Sequence, residues 1–131
     1  MAGVTTRTWN TAVGTGLLRV AVGTALVRWR RPLARRLGGA AEGDRALPLL
    51  FGYFGVRDIT VGVVTLASTR PDGDVPRAVN LQGIADATDA ALVAAVAASG
   101  RLSRPRAIVA GVVAVLSALG EFVTAAKLRR A

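Results

Sequence analysis

The chain has 131 residues, of which 52% are hydrophobic and only 5% aromatic, with a mean hydropathy of +0.45. It contains no Cys and no His, which excludes disulfides, cysteine-ligated metal sites and imidazole acid–base catalysis. A formal net charge of +9 would suggest nucleic-acid binding in a soluble protein. Here, however, the charged residues are grouped in short intervals between long apolar runs, a pattern that predicts a membrane protein and no nucleic-acid partner.

Four apolar runs divide the chain, and each is about long enough to cross a lipid bilayer. The predicted spans are residues 11–27, 47–68, 79–98 and 107–126, separated by loops that contain Arg, Gly and Pro. The sequence therefore predicts a single all-α domain over residues 1–131, an integral membrane four-helix bundle with up-down topology.

The first run contains Arg19 and is followed by a predicted basic loop over residues 28–46. A cleaved signal peptide would also be apolar near the N-terminus. However, Arg19 interrupts the run, and an arginine cluster stands where a small-residue cleavage site is expected. The pattern favours a retained span with anionic lipid at its basic flank. Basic residues are more numerous beside the first and third loops, which favours both termini outside.

The second run begins near Pro48, a residue tolerated in the first turn of a helix. It is followed by a predicted turn from Thr69 to Ala78, which contains two prolines and an Asp-Gly pair. The nearby Asp72 and Asp74 hint at calcium, but no further ligands complete a binding loop. We therefore predict no metal site.

Ionisable side chains inside the predicted spans are the most informative feature, because each charge costs roughly 2.5 to 3.5 kcal/mol on insertion scales. They are Arg19, Arg57, Asp58, Asp86, Asp89 and Glu121. All but Glu121 lie near the centres of the first three spans, whereas Glu121 is roughly 7 Å from that layer. We expect the charges to pair in a shared interior at the bilayer midplane.

Asp86 and Asp89 are three residues apart and share one helix face, which Gln82 extends. Two arginines facing four carboxylates would leave a net negative interior. Because desolvation and like charge both favour the neutral acid, we expect at least one of Asp86, Asp89 and Glu121 to be protonated. Asp86 and Asp89 are the candidate catalytic acid and base, with Arg57 stabilising a developing anion.

Two segments carry a family resemblance: Gly52–Gly62, with the sequence GYFGVRDITVG, and Gly83–Ala90, with the sequence GIADATDA. They resemble the second and third spans of small, DoxX-like four-span membrane proteins of an uncharacterised family. There, a G-x-R-[DE] segment and an Asp-containing third span recur. The resemblance implies a four-helix membrane fold and functional interest in Arg57, Asp58 and the two aspartates of the third span. It implies no assigned activity, and the quinone or thiol redox chemistry of DoxX relatives would require features, such as Cys, that this chain lacks.

Three functional hypotheses remain open on the sequence. In the first, the charged residues and Gln82 line a pocket that binds a small apolar ligand and can perform acid–base chemistry on it. In the second, Asp86 or Glu121 carries protons in a small transporter, which four spans can form only as an oligomer such as a homodimer. In the third, the protein is an accessory subunit whose charges only fix helix packing. No cofactor can be named.

The cellular location is predicted from the spans and from the excess of Arg over Lys. Sixteen of the seventeen basic residues are Arg, which is typical of a GC-rich genome. We expect a multi-pass protein of a bacterial cytoplasmic membrane.

Overall fold

A computed structural model of the chain describes residues 6–38, 45–100 and 104–129. The helices are α1 (Thr6–Gly38), α2 (Ala46–Ser68), α3 (Val75–Ala98) and α4 (Arg104–Leu128). In the described part of the chain, all four are long and apolar enough to cross a membrane, with mean hydropathies from 1.2 in α1 to 2.1 in α4. The predicted all-α, four-helix architecture is confirmed.

Helix α1 is longer than the predicted first span, because residues 28–38 continue the helix instead of forming a loop. Trp29 has non-helical backbone angles (φ −109°, ψ 16°) three residues before Pro32. A proline inside a helix removes one backbone hydrogen bond and clashes with the preceding turn, which kinks the helix here instead of ending it. Beyond the kink, Ala34 is buried.

The turn between α2 and α3 is shorter than the predicted link from Thr69 to Ala78, since α3 already begins at Val75. Asp74 starts this helix, because its Oδ1 accepts a hydrogen bond of 2.9 Å from the backbone N–H of Arg77. Asp74, one of the two aspartates that suggested a calcium ligand in the sequence, therefore caps the start of α3.

Glycines allow α1 and α2 to pack as a close antiparallel pair. Gly23 lies against Gly55, and Gly16 lies against Gly62. A Cβ added to Gly23 would lie 2.5 Å from the carbonyl oxygen of Gly55. Small residues at such crossings let two backbones approach closely, as in membrane helix pairs. Because Arg19 lies between the two α1 glycines, this packing places it directly beside α2.

Helices α3 and α4 form a second antiparallel pair, in which Gly83 lies against the ring of Phe122. A buried apolar cluster joins α1, α3 and α4; it contains Ala12, Val75, Val79 and Ala125. The two pairs meet mainly along α2 and α3. Antiparallel neighbours in chain order give the up-down arrangement.

Candidate functional site

A ring of alternating charges lies between the two helix pairs. Arg19 Nη1 is 2.8 Å from Asp58 Oδ1, and Arg19 Nη2 is 2.7 Å from Asp86 Oδ2. Arg57 Nη1 closes the ring, at 2.8 Å from Asp58 Oδ1 and 3.2 Å from Asp86 Oδ1. These four residues, hereafter the charged ring, contain two positive and two negative groups, so the ring is neutral when all four are ionised.

Two further carboxylates, hereafter the outer acids, attach to the ring from different helices. Glu121 Oε1 of α4 lies 2.5 Å from Arg19 Nη2, and Asp89 Oδ2 of α3 forms an ion pair with Arg57 Nη2. The side chains of the ring and the outer acids are only 9–18% exposed. Because the ring is already balanced, the outer acids hold the surplus negative charge of the cluster.

The charges are divided unequally between the two helix pairs. Both arginines and Asp58 belong to the α1–α2 pair, whereas Asp86 and the outer acids belong to the α3–α4 pair. Within the α1–α2 pair, Asp58 contacts the guanidinium groups of both arginines. Both guanidinium groups also contact Asp86 of the α3–α4 pair. The cluster therefore joins the two halves of the bundle by charge complementarity.

All six charged residues predicted to share an interior come together, but the pairing shows two features that the spacing did not predict. Arg57 and Asp58 are sequence neighbours that point about 100° apart on a helix, so they were not required to pair. The long Arg57 side chain nevertheless forms an ion pair with Asp58. Glu121 was expected outside the midplane layer. It nevertheless joins the cluster, because the Arg19 side chain extends from α1 to contact it on α4.

Gln82 lies on the same face of α3 as Asp86, as its spacing predicts, but its observed partner is in α2. Gln82 Nε2 donates a hydrogen bond to Thr65 Oγ1, and the two residues are only 1% and 0% exposed. The Thr65 hydroxyl in turn donates to the carbonyl oxygen of Val61 at 2.8 Å. Thr65 is not among the site residues predicted from the sequence. Its position seven residues after Asp58, on the same face, was the available signal.

At each outer acid, one arginine atom and one carboxylate oxygen have no hydrogen-bond partner in the described chain. These buried atoms are Arg57 Nε with Asp89 Oδ1, and Arg19 Nε with Glu121 Oε2. Arginine commonly binds a carboxylate through two parallel hydrogen bonds. Here the outer acid contacts only Nη2, so one donor and one acceptor remain in each case.

An apolar groove of about 300 Å³ lies between the start of α2 and the end of α3, hereafter the α2–α3 groove. Its apolar lining consists of Ala46, Leu47, Leu50, Leu92, Ala95 and Val96. Leu92 is three residues after Asp89, and Leu50 is seven residues before Arg57. Both spacings keep residues on one helix face. Arg57 and Asp89 lie further along these two helices and are not among the residues that line the groove, whose one polar member is Ser99.

Comparison of the chain with protein families, characterised proteins and solved structures finds no match. The resemblance to DoxX-like proteins therefore stays a prediction. Within the described ranges, no three acidic residues are grouped so that they could hold a metal ion.

Proposed function

We propose that the protein is an integral membrane protein that binds a small apolar molecule in the α2–α3 groove, beside the charged ring. The membrane part of this proposal is supported by the surface of the bundle. Many large apolar side chains are exposed on α4, including Ile108, Val109, Val112, Val113 and Leu116. Such a surface is unfavourable in water, whereas hydrocarbon lipid chains would cover it.

The observation that carries the ligand-binding proposal is the apolar groove between α2 and α3, the two helices that also carry Arg57 and Asp89. Small-molecule sites are concave and mostly apolar, with a few placed polar groups that fix the orientation of the ligand. The α2–α3 groove supplies the apolar walls, and Ser99 is the polar residue of its lining. Its volume lies at the lower end of the range for ligand pockets, which suits a small molecule.

Any acid–base chemistry on the bound molecule is assigned to Asp89. Both carboxylate oxygens of Asp86 are held by arginines, so this residue is best suited to keeping the charged ring closed. Asp89 contacts Arg57 through one oxygen and keeps the other without a partner. Asp89 would exchange the proton, and Arg57 would stabilise a developing negative charge.

The membrane proposal predicts that the chain stays in the membrane fraction when cell membranes are washed with alkaline carbonate. The physical reason is the area of exposed apolar surface on all four helices, which only hydrocarbon can cover. Detection of the chain by immunoblot in pellet and supernatant measures this. Release into the supernatant, together with a peripheral control protein, would contradict the proposal.

The groove proposal predicts that Ala95→Trp blocks binding, because the indole ring would occupy the apolar space next to Leu92 and Val96. The full-length protein in lipid nanodiscs is photolabelled with a decane that carries a diazirine, and labelled peptides are quantified by mass spectrometry. We expect labelling of the α3 segment around Leu92 to fall about tenfold or more, relative to the exposed face of α4. One tenfold change corresponds to about 1.4 kcal/mol.

Ala94→Trp is the matched control, since this neighbouring alanine is not among the groove-lining residues. It adds the same indole about 100° around the helix and is expected to leave groove labelling unchanged. Equal labelling in the two variants would refute binding in the groove. The transporter, homodimer and accessory-subunit hypotheses stay predictions, because no observation in the structure tests them.

A further inference from the structure

We infer that the outer face of α1, at the end of its membrane-spanning part, binds the head groups of anionic phospholipids. Three exposed arginines form this surface, hereafter the arginine stripe: Arg28, Arg31 and Arg35. Residues three and four positions apart lie on the same face of a helix. The surface is separate from the α2–α3 groove, to which α1 contributes no residue, so its assignment rests only on the membrane part of the proposed function.

The packing of α1 against α2 determines which arginines of this segment remain available. The Arg30 side chain lies beside Gly52 of α2, and its Nη1 donates a hydrogen bond of 3.0 Å to the carbonyl oxygen of Val27. Ala34, one helical turn after Arg30, is buried. The arginine stripe is exposed on a different face of α1, so its guanidinium groups can contact molecules that surround the bundle.

The described residues provide no ion pair for the arginine stripe, because every ion pair among them involves Arg19 or Arg57. Like charges three or four positions apart on a helix destabilise it. The helix dipole favours basic residues only in the last turn, which here contains Arg35 but neither Arg28 nor Arg31. Anions bound between the arginines would remove this repulsion.

The two ends of the bundle differ in the sign of their charges. At the end that carries the arginine stripe, the described charged residues outside the buried cluster are all arginines: Arg28, Arg30, Arg31, Arg35, Arg36, Arg45, Arg104 and Arg106. The other end combines both signs: Arg70, Asp72, Asp74, Arg77, Lys127 and Arg129. An anionic membrane surface is therefore attracted most strongly to the end with the stripe.

The depth of the stripe matches the head-group layer of a bilayer that has the charged ring at its midplane, as the sequence predicts. Arg28 and Arg35 lie about 14 Å and about 24 Å beyond Arg19 along the helix. Half the hydrocarbon core of a bilayer is about 15 Å thick, and the head groups extend about 5–8 Å further. The stripe therefore begins at the hydrocarbon edge and crosses the layer of phosphates.

The chemistry of the stripe favours an anionic phospholipid over other anions. Guanidinium groups bind phosphate oxygens through paired N–H donors. A zwitterionic lipid holds a cation next to its phosphate, which the arginines repel, whereas an anionic lipid does not. A nucleic acid offers the same phosphates, but it binds in water. Trp29, 54% exposed within the stripe, is instead typical of a helix surface at the membrane interface.

Quenching of tryptophan fluorescence by brominated phospholipids tests the inference at the stripe itself. The chain has two tryptophans, so Trp29 is the sole reporter in the Trp9→Phe variant. This full-length variant is reconstituted in mixed bilayers of phosphatidylcholine and phosphatidylglycerol, in which one lipid or the other carries bromine near the head-group end of its acyl chains. Each arginine at an anionic surface contributes about fivefold to binding. We expect phosphatidylglycerol to associate with the protein beside Trp29 at least tenfold more strongly than phosphatidylcholine.

Two triple variants in the Trp9→Phe background locate the effect. Removal of the stripe by Arg28→Gln, Arg31→Gln and Arg35→Gln should lower the preference by about fivefold or more. The matched control combines Arg70→Gln, Arg77→Gln and Arg129→Gln, which removes the same charge from exposed positions at the other end, and it should retain the full preference. Circular dichroism shows whether each variant is helical. The comparison of the two lipids with the stripe intact requires neither triple variant.

The preference should weaken at high salt, because exposed charges are screened, and it should persist when phosphate replaces chloride at equal ionic strength. Loss of the preference in phosphate would assign the stripe to a soluble anion and overturn the inference. Equal loss in the two triple variants would overturn the assignment to α1.

Equal quenching of Trp29 by the two brominated lipids would also overturn the inference. If the protein in phosphatidylcholine bilayers then bound duplex DNA and lost this binding with the stripe, the partner would be a nucleic acid instead. Quenching by neither lipid would contradict the membrane part of the proposed function. Failure of the inference alone therefore gives equal quenching, whereas failure of the proposed membrane insertion gives none.

Discussion

Arg19→Leu is expected to prevent recovery of folded protein after solubilisation in mild detergent. Arg19 is the only described side chain that contacts Asp58, Asp86 and Glu121 together, and it joins α1 to both α3 and α4. Removing one partner of a buried ion pair destabilises a protein by about 3–5 kcal/mol, because the remaining charge is left uncompensated. Here three carboxylates would lose their shared partner, and a typical native state is stable by only about 5–15 kcal/mol.

Size-exclusion chromatography and thermal unfolding measure this effect, with Arg28→Leu as the matched control. Arg28 lies on the same helix but is exposed, so its replacement is expected to change stability by less than about 0.5 kcal/mol. The double variant Arg19→Leu/Glu121→Leu should recover part of the loss, because it removes one of the carboxylates left without a partner. An Arg19→Leu protein that unfolds at the temperature of the unmodified chain would show that the charged ring contributes little to folding.

The charged ring is expected to stabilise the helix pairs, whereas the outer acids are expected to contribute less to stability. In the ring, every charge contacts two opposite charges, so the ring can hold the helix pairs together without a net charge. Each outer acid contacts one arginine and brings an excess negative charge into the interior. Excess buried charge is unfavourable unless it is matched. Asp89 is therefore harder to explain by packing alone than Asp58 or Asp86.

The sequence predicted the helices and the members of the charged cluster because these follow from local rules. Apolar runs of membrane-spanning length mark the helices, and charges inside such runs must meet partners in the interior. The spacing of Asp86 and Asp89 placed both on one face of α3, and both do contact an arginine of the other helix pair. The site residues were therefore identifiable one helix at a time.

The pairings could not be predicted, because they depend on how far long side chains reach between helices. Arg19 extends across the bundle to Glu121, although the two positions differ in predicted depth. The continuation of α1 past Trp29 was also missed, since Pro32 and the surrounding arginines resemble a loop when only local preference is considered. Burial of Ala34 beyond the kink shows that tertiary packing accompanies this extension. The groove depends on the relative positions of α2 and α3, which no single segment contains.

The glycines of α1 are expected to respond with opposite signs to the same substitution. Gly23→Ala should destabilise the protein by about 3 kcal/mol, because the new Cβ would lie 2.5 Å from the carbonyl oxygen of Gly55 and 2.8 Å from the backbone N of Ile59. Overpacking typically costs about 1–3 kcal/mol, and backbone atoms cannot turn away as a side chain can. Gly14→Ala, with no atom within 4 Å of the new Cβ, should instead stabilise the helix by about 0.5–1 kcal/mol.

Thermal unfolding of the two variants in the same detergent measures this difference, and Gly55→Ala extends the test to the partner helix. A Cβ on Gly55 would lie 2.6 Å from the carbonyl oxygen of Gly23, so it meets the same contact from the other side. Once α1 and α2 have separated to accommodate one methyl group, the second requires less movement. The double variant Gly23→Ala/Gly55→Ala should therefore lose less stability than the two single losses combined, because contacting positions are not additive.

The same separation would lengthen the contact between Arg19 and Asp58, so Gly23→Ala should also weaken the charged ring. Equal unfolding temperatures for Gly14→Ala and Gly23→Ala would contradict the close crossing of α1 and α2, and with it the position of Arg19 in the ring.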